Sequence, residues 1–262
     1  MPRLTSTSMR TAGLVLAVTS FLGGCRGGEP ALTAPRTIVA PYDTSRGEVL
    51  WAVVPLRNES GTSLVDVGGM SDKLVAAVEQ VEGVRCLPLN RTLQAMTVLG
   101  YSSLRTPADA RSLAQAMGVD GVLVGSITAY DPYGPTLGLS LALYGRPGSM
   151  AQGRQPLDPR TLATKATETA PATWSREEGP VAVVSQHLDA KNHQVQMDAR
   201  AYAEGRLKGP SALGWRRYLA SMDLFSDFGA YRAVDELIKQ EWVRLPGGVT
   251  GQRSATVQER ER

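Results

Sequence analysis

The chain has 262 residues, 42% of them hydrophobic, and a formal net charge of +3 from 28 basic and 25 acidic side chains. Such a length and apolar content allow one good-sized core with tails. The near balance of charge, with no basic stripe interleaved with aromatics, lacks the electrostatic footprint of a nucleic-acid binder.

Met1 to Arg10 carries two arginines and no acid, Thr11 to Phe21 is mostly apolar, and Leu22-Gly23-Gly24-Cys25 follows at once. The apolar run is shorter than the ~20 residues a membrane-spanning helix needs, but it has the length of a signal-peptide core. Leu22-Gly23-Gly24-Cys25 resembles the lipobox of bacterial lipoproteins, in which small residues precede a cysteine whose thiol receives diacylglycerol. The resemblance implies that residues 1–24 are a signal peptide and that Cys25 is lipidated, with acyl chains of the palmitate kind. It also implies an outer-membrane protein facing the periplasm, because Arg26 rather than Asp follows Cys25. An ordinary secretory signal is the alternative. Loss of Arg3 and Arg10 with the signal brings the mature chain closer to neutral.

Residues 25–47, rich in Gly, Pro and Thr, read as a flexible tether. The domain, residues 48–246, then opens with Val49 to Leu56, a strand buried on both faces and ended by Pro55. Thr62 to Glu82 reads as helical, with Leu74, Val75, Val78 and Val81 at helical spacing, Ser71 a possible N-cap and Gly68-Gly69 delaying the start. Val84 to Pro88 is a short strand. Its Cys86, left alone once Cys25 is acylated, reads as a small buried hydrophobe. Leu89 to Leu99 gives a helix with Leu93, Met96 and Leu99 on one face. Thr106-Pro107-Ala108-Asp109 starts another, which Gly118 stops.

Asp120 to Tyr130 is an apolar run without a polar face, as expected of an inner strand with Val122, Leu123, Val124 and Ile127 buried. The turn Asp131 to Pro135 joins it to an outer antiparallel strand, in which Leu137, Leu139, Leu141 and Leu143 alternate with small or polar residues. The order strand, helix, strand, two helices, strand, hairpin strand predicts an α/β fold. The expectation is a mixed four- to five-stranded sheet with helices packed on it, plus C-terminal amphipathic helices.

Ala52 to Asn58, and Ala114 through Gly118-Val119-Asp120-Gly121 to Ile127, resemble the periplasmic α/β domain of a group of bacterial lipoproteins. That group includes the curli secretion subunit CsgG, the penicillin-binding-protein activator LpoB and the N-terminal domain of TolB. The likeness covers roughly residues 49–145. It implies an anticodon-binding-like fold and a scaffolding or regulatory role, and it transfers no catalytic residue.

Residues 146–180, with repeated Pro, Gly and Thr, read as a mobile insertion. A short strand over Val181 to Val184 and a helix over Asn192 to Gly205 follow. His187 and His193 lie six apart, which is not helical ligand spacing, and read as surface residues. From Trp215 to Trp242, apolar residues recur every three or four positions, with a break expected at Ser226-Asp227 and Gly229. This stripe, with Trp215, Tyr218, Phe225, Phe228 and Trp242, is either core against the sheet or a docking surface for a partner. Residues 247–262 read as a disordered tail.

No phosphate-binding loop, nucleophile elbow, zinc-binding helix or paired-cysteine spacing is found. The sequence therefore predicts no catalytic residue, no cofactor and no metal. The expected function is that of a non-catalytic lipoprotein, membrane-held through Cys25, that binds an envelope protein in cell-wall synthase activation or secretion-system assembly. A self-assembling subunit of an export or ring complex is the alternative.

Overall fold

The computed structural model describes residues 34–146, 179–207 and 212–245. Cys25, the signal segment, the tail and nearly all of the expected insertion lie outside the described residues.

Five strands run across the sheet: β2 (Val49–Val53), β5 (Val84–Leu87), β6 (Gly121–Asp131), β7 (Thr136–Gly145) and β8 (Ala182–Asp189), in the spatial order β5-β2-β6-β7-β8. The short β3 (Arg57–Asn58) pairs with β6 farther along the side that β2 occupies. β2 is parallel to both β5 and β6, while β6, β7 and β8 are antiparallel neighbours. The parallel pairs need crossovers. Helix α1 (Val67–Val78) supplies one between β2 and β5, and α2 (Leu89–Val98) with α3 (Pro107–Met117) supplies the next. After β8 come α4 (His193–Ala203), the single turn α5 (Arg217–Ala220) and the long α6 (Met222–Arg244). The fold is mixed α/β, as the order of sequence elements predicts.

Each face of the sheet carries its own core. Trp51, Val53, Leu123 and Ile127 pack with Leu137, Leu139, Leu141 and Leu143 against α1, α4 and α6. Ala52, Val54 and Val122 pack on the other side with Met96, Leu104, Leu113 and Ala114. This two-sided burial explains why β2 and β6 show no polar face, although Val124 is only half-buried. β7 alternates because its second face is only partly covered. It is not the outer strand its pattern predicts, since β8 pairs along it from Thr136 to Leu143 and takes the edge. β8 is also twice the expected length.

Local chemistry sets the helix ends. Thr106 and Asp109 form a reciprocal capping box with Pro107 at the first position of α3, and Gly118 closes that helix at a φ of 66°. The cap of α1 is Asp66, which accepts from Gly69 N at 2.9 Å. Ser71, the expected cap, is instead buried inside α1, where its hydroxyl donates to Val67 O and accepts from Leu56 N. In α2 the buried line is Leu89, Thr92 and Met96, while Leu93 and Leu99 face outward. Thr92 is polar, so the buried line did not register as an apolar stripe.

The chain bends before α6, at Ser221, and not at Ser226-Asp227 or Gly229. Gly229 lies inside an unbroken helix, where it costs about 1 kcal/mol relative to Ala. A Cβ there would stand 2.6 Å from Leu137 Cδ2, so the glycine lets α6 approach β7 closely. Lys73 pins the same helix to α1 through Asp223 at 2.8 Å and Asp227 at 2.6 Å.

Residues 34–47 are the clearest departure from the expected tether. Ile38–Val39 form a strand, β1, parallel to β4 (Val81–Glu82), and Ile38, Ala40 and Tyr42 are buried in the first core. The alternation of those three side chains is a strand signal that the Gly and Pro content of the window conceals.

Candidate functional site

The C-terminal aromatic stripe is core. Phe225 and Phe228 are sealed between α6 and the sheet, and Tyr218 is buried against Tyr202 with ring centroids 5.3 Å apart. These three are taken up by the fold itself, Phe225 and Phe228 because a 23-residue helix lying across a sheet needs its apolar width for packing, and Tyr218 because the turn before that helix packs on Tyr202. Trp215 and Trp242 are half-buried, and the indole Nε1 of Trp242 donates to Val39 O at 2.8 Å. Its partner is thus the chain's own N-terminal strap.

That strap is held by a buried charge. Glu241, with no exposed surface, accepts from the Tyr42 hydroxyl at 3.1 Å and from Arg244 Nε and Nη2 at 2.8 and 2.5 Å. Burial pushes the Tyr42 phenol well above its ordinary value, and the neighbouring Glu241 carboxylate pushes the same way. Arg206 adds a second fastening. Its guanidinium lies 4.3 Å from the Tyr202 ring centroid and 4.7 Å from that of Tyr231, and donates to Arg36 O and Gln80 Oε1.

A polar cleft of about 220 Å³ lies beside this strap, between α4 and α6. Most of its charges are internally matched, Arg232 pairing with Asp198 and Lys239 with Asp235 and Glu236, while Arg36 lines it without an ion pair among the described residues. Such a lining holds two helices together and leaves little unmatched charge for a ligand.

The opposite side of the sheet differs. A groove of about 540 Å³ opens between α2 and α3, floored by Leu87, Ala95 and Leu99 and walled by Ala116 and Met117, with Arg91, Gln94 and Val98 along its rim. Val98 is 82% exposed, Leu93 46% and Leu99 37%. Val98 and Leu99, at the end of α2 and its C-terminal cap, line the groove together, unlike the singly scattered apolar side chains normal on surfaces, whereas Leu93 does not line it. The charge around them is one-sided. Between Glu82 and Asp109 the chain has Arg85, Arg91 and Arg105 but no carboxylate. Arg85 is neutralised by Glu48 and Glu79, whereas Arg91 is exposed and makes no ion pair among the described residues. The sequence shows the acid-free stretch and Leu93, Val98 and Leu99. Only the fold shows that they stay outside.

The two sheet edges are unequally protected. On β5 the Glu79 carboxylate accepts from Cys86 N at 2.5 Å. Cys86 is buried, and that burial, with Glu79 beside it, lifts its thiol to about 12, so it is an inert thiol at neutral pH. On β8 the Gln240 side chain takes both the N–H and the C=O of Val183, at 3.0 and 2.8 Å. Ser185 and His187, next along the same outward row, have no such cover among the described residues. His187 and His193 are both exposed, and no group of three metal-ligating side chains occurs among the described residues. No described helix is long and apolar enough to cross a membrane.

No family model matches the chain, and no curated protein matches it. Among solved structures the chain is similar to the C-terminal domain of LpoB from Salmonella enterica, at 19% identity over 41% of this chain and 74% of that one, with a TM-score of 0.33. It is also similar to lipoprotein GNA1162 from Neisseria meningitidis, at 22% identity over 37% and 72%, with a TM-score of 0.31. The hypothetical protein CT253 from Chlamydia trachomatis matches at 10% identity over 78% and 98%, with a TM-score of 0.34. Likenesses at this level carry no argument about function, which has to come from the chain's own surfaces.

Proposed function

We propose that this is a non-catalytic lipoprotein of the cell envelope, anchored through Cys25 at the outer membrane, whose periplasmic domain binds another envelope protein through the α2–α3 groove. The observation that carries the reading is the groove itself: an exposed apolar, acid-free face in a domain whose aromatic stripe is already used for packing. The resemblance to CsgG, LpoB and TolB read in the sequence belongs to the same reading, with cell-wall synthase activation or secretion-system assembly as the role. Because residues 34–47 fold onto the domain, the tether shortens to the eight residues from Arg26 to Thr33. In this reading the anchor raises the domain's effective concentration toward a partner at the membrane.

Two measurements test this. Cells fed a clickable fatty acid are expected to label the wild-type protein and not Cys25→Ser. Label retained by Cys25→Ser in the membrane fraction would refute the anchor. A photo-crosslinking residue in place of Val98 is expected to capture a distinct envelope protein, whereas one in place of Tyr133, itself 90% exposed on the β6–β7 turn, is not. Equal capture from both positions, or none from Val98, would remove the groove from the reading.

A second reading, self-assembly, is favoured by the uncovered stretch of β8 at Ser185 and His187, since an open edge can pair with another strand. In that case a crosslinker at His187 joins copies of this chain to each other.

A further inference from the structure

We propose that the segment docked in the α2–α3 groove belongs to an acidic stretch of the partner protein, presenting an apolar side chain to the floor at Ala95, against the Met117 wall, and a carboxylate to Arg91. The inference rests on the docking reading above and adds the chemistry of what docks.

Charge and geometry together set that chemistry. Arg91 and Val98 stand seven residues apart on α2, about 10 Å along the helix axis. The apolar floor lies between them and the wall formed by Ala116 and Met117. The anchor sits at Ala95, four residues or about 6 Å from Arg91, so a partner must offer its anchor and its carboxylate at about that spacing, which is one turn of a helix or two residues of an extended chain. The small Ala95 and Ala116 leave room for one large aliphatic or aromatic side chain between the helices. Gln94, exposed on the rim between Arg91 and Val98, can bond the partner's backbone in either sense. An arginine with no carboxylate of its own gives up no existing ion pair when one arrives from outside, and its planar fork favours a two-bond grip.

Other occupants fit less well. A bilayer is flat, while this site is concave. A second copy related by two-fold symmetry would set this acid-free face against itself and bring Arg91 toward like charge.

The test uses the full chain with the photo-crosslinking residue at Val98, produced in cells, with Arg91 wild type, Arg91→Glu or Arg91→Lys. The adduct is digested and the crosslinked peptide sequenced by mass spectrometry. The peptide is expected to hold an aliphatic or aromatic residue with Asp or Glu within about one helical turn. The adduct yield should fall about tenfold with Arg91→Glu, because a like charge is then brought against the partner, and should be largely kept with Arg91→Lys. Unchanged thermal melts of the variants separate this from misfolding, since Arg91 is exposed. A protein adduct whose yield ignores Arg91→Glu, or whose peptide has no nearby carboxylate, overturns the charge inference and leaves the docking reading standing. No adduct overturns both. An adduct to lipid or to a second copy of the chain also overturns the inference and assigns the groove to that occupant.

Discussion

A chain carrying Leu139→Asp is expected to show no cooperative thermal transition. Leu139 is fully buried in the middle of β7, between Ile127 on β6 and Gln186 on β8, and faces the core shared with α6. Truncating such a leucine costs about 2–5 kcal/mol through lost transfer energy and the cavity left behind. An ionised carboxylate set there without a partner adds several kcal/mol more, or holds its proton at an equivalent cost. Against a total stability of ~5–15 kcal/mol, the combination leaves little or no folded population. Ser140→Asp, one residue along on the half-buried opposite face, supplies the control and should lower Tm by only a few degrees. Circular dichroism on heating distinguishes the two, and a Leu139→Asp melt that matches wild type would show that the alternating face of β7 is not the core face.

Glu241→Ala is expected to give the next largest loss, about 3 kcal/mol. That is the lower end of the cost of breaking a buried ion pair, because the Arg244 side chain is 35% exposed and can turn partly to water. The Tyr42 hydroxyl loses its acceptor at the same time, and the strap loses its fastening to α6. Tyr42→Phe alone should cost about 1 kcal/mol, the net worth of one hydrogen bond. Because the two residues touch, the double variant should destabilise by less than the sum of the singles. Proteolysis gives the independent readout: cleavage within residues 34–47 should quicken in Glu241→Ala before the rest of the domain is cut. Additive losses, together with an unchanged cleavage rate, would show that the strap is held by something else.

The same contact gives a pH dependence of known sign. Burial raises the Tyr42 phenol above its ordinary value near 10, so its stabilisation is complete below that pH and is lost as pH climbs from there through the raised folded-state value. Tyr202, lifted by burial to about 12, acts in the same direction. The difference between wild type and Tyr42→Phe in an alkaline Tm series therefore isolates the strap.

Where sequence reading succeeded, the signal was local. The run without a polar face at Val122 and Leu123, the alternation from Leu137 to Leu143 and the start at Thr106-Pro107 each follow from chemistry within a few residues. Each is found in the structure as a central strand, a one-sided strand and a capped helix. Ser71 and Gly229 misled for a shared reason. A serine near a helix start and a glycine late in a helix have local meanings, yet here one bonds Leu56 N, fifteen residues away, and the other accommodates Leu137. The window from Ala34 to Gly47 reads as linker until Tyr42 finds Glu241, 199 residues later.

The candidate site shows the same division. Sequence alone determined the α/β order of elements, the lipobox-like Leu22-Gly23-Gly24-Cys25 and the absence of carboxylates between Glu82 and Asp109, because each is a property of neighbours along the chain. Tertiary structure decided which apolar stripe is spent and which is left over. Phe225, Phe228 and Val234 are covered because α6 crosses the sheet, whereas Leu93, Val98 and Leu99 stay in solvent because Thr92 and Met96 take the inner face of α2. Periodicity tells a helix that it has an apolar side, and only packing against the other elements determines whether that side meets the core or the outside.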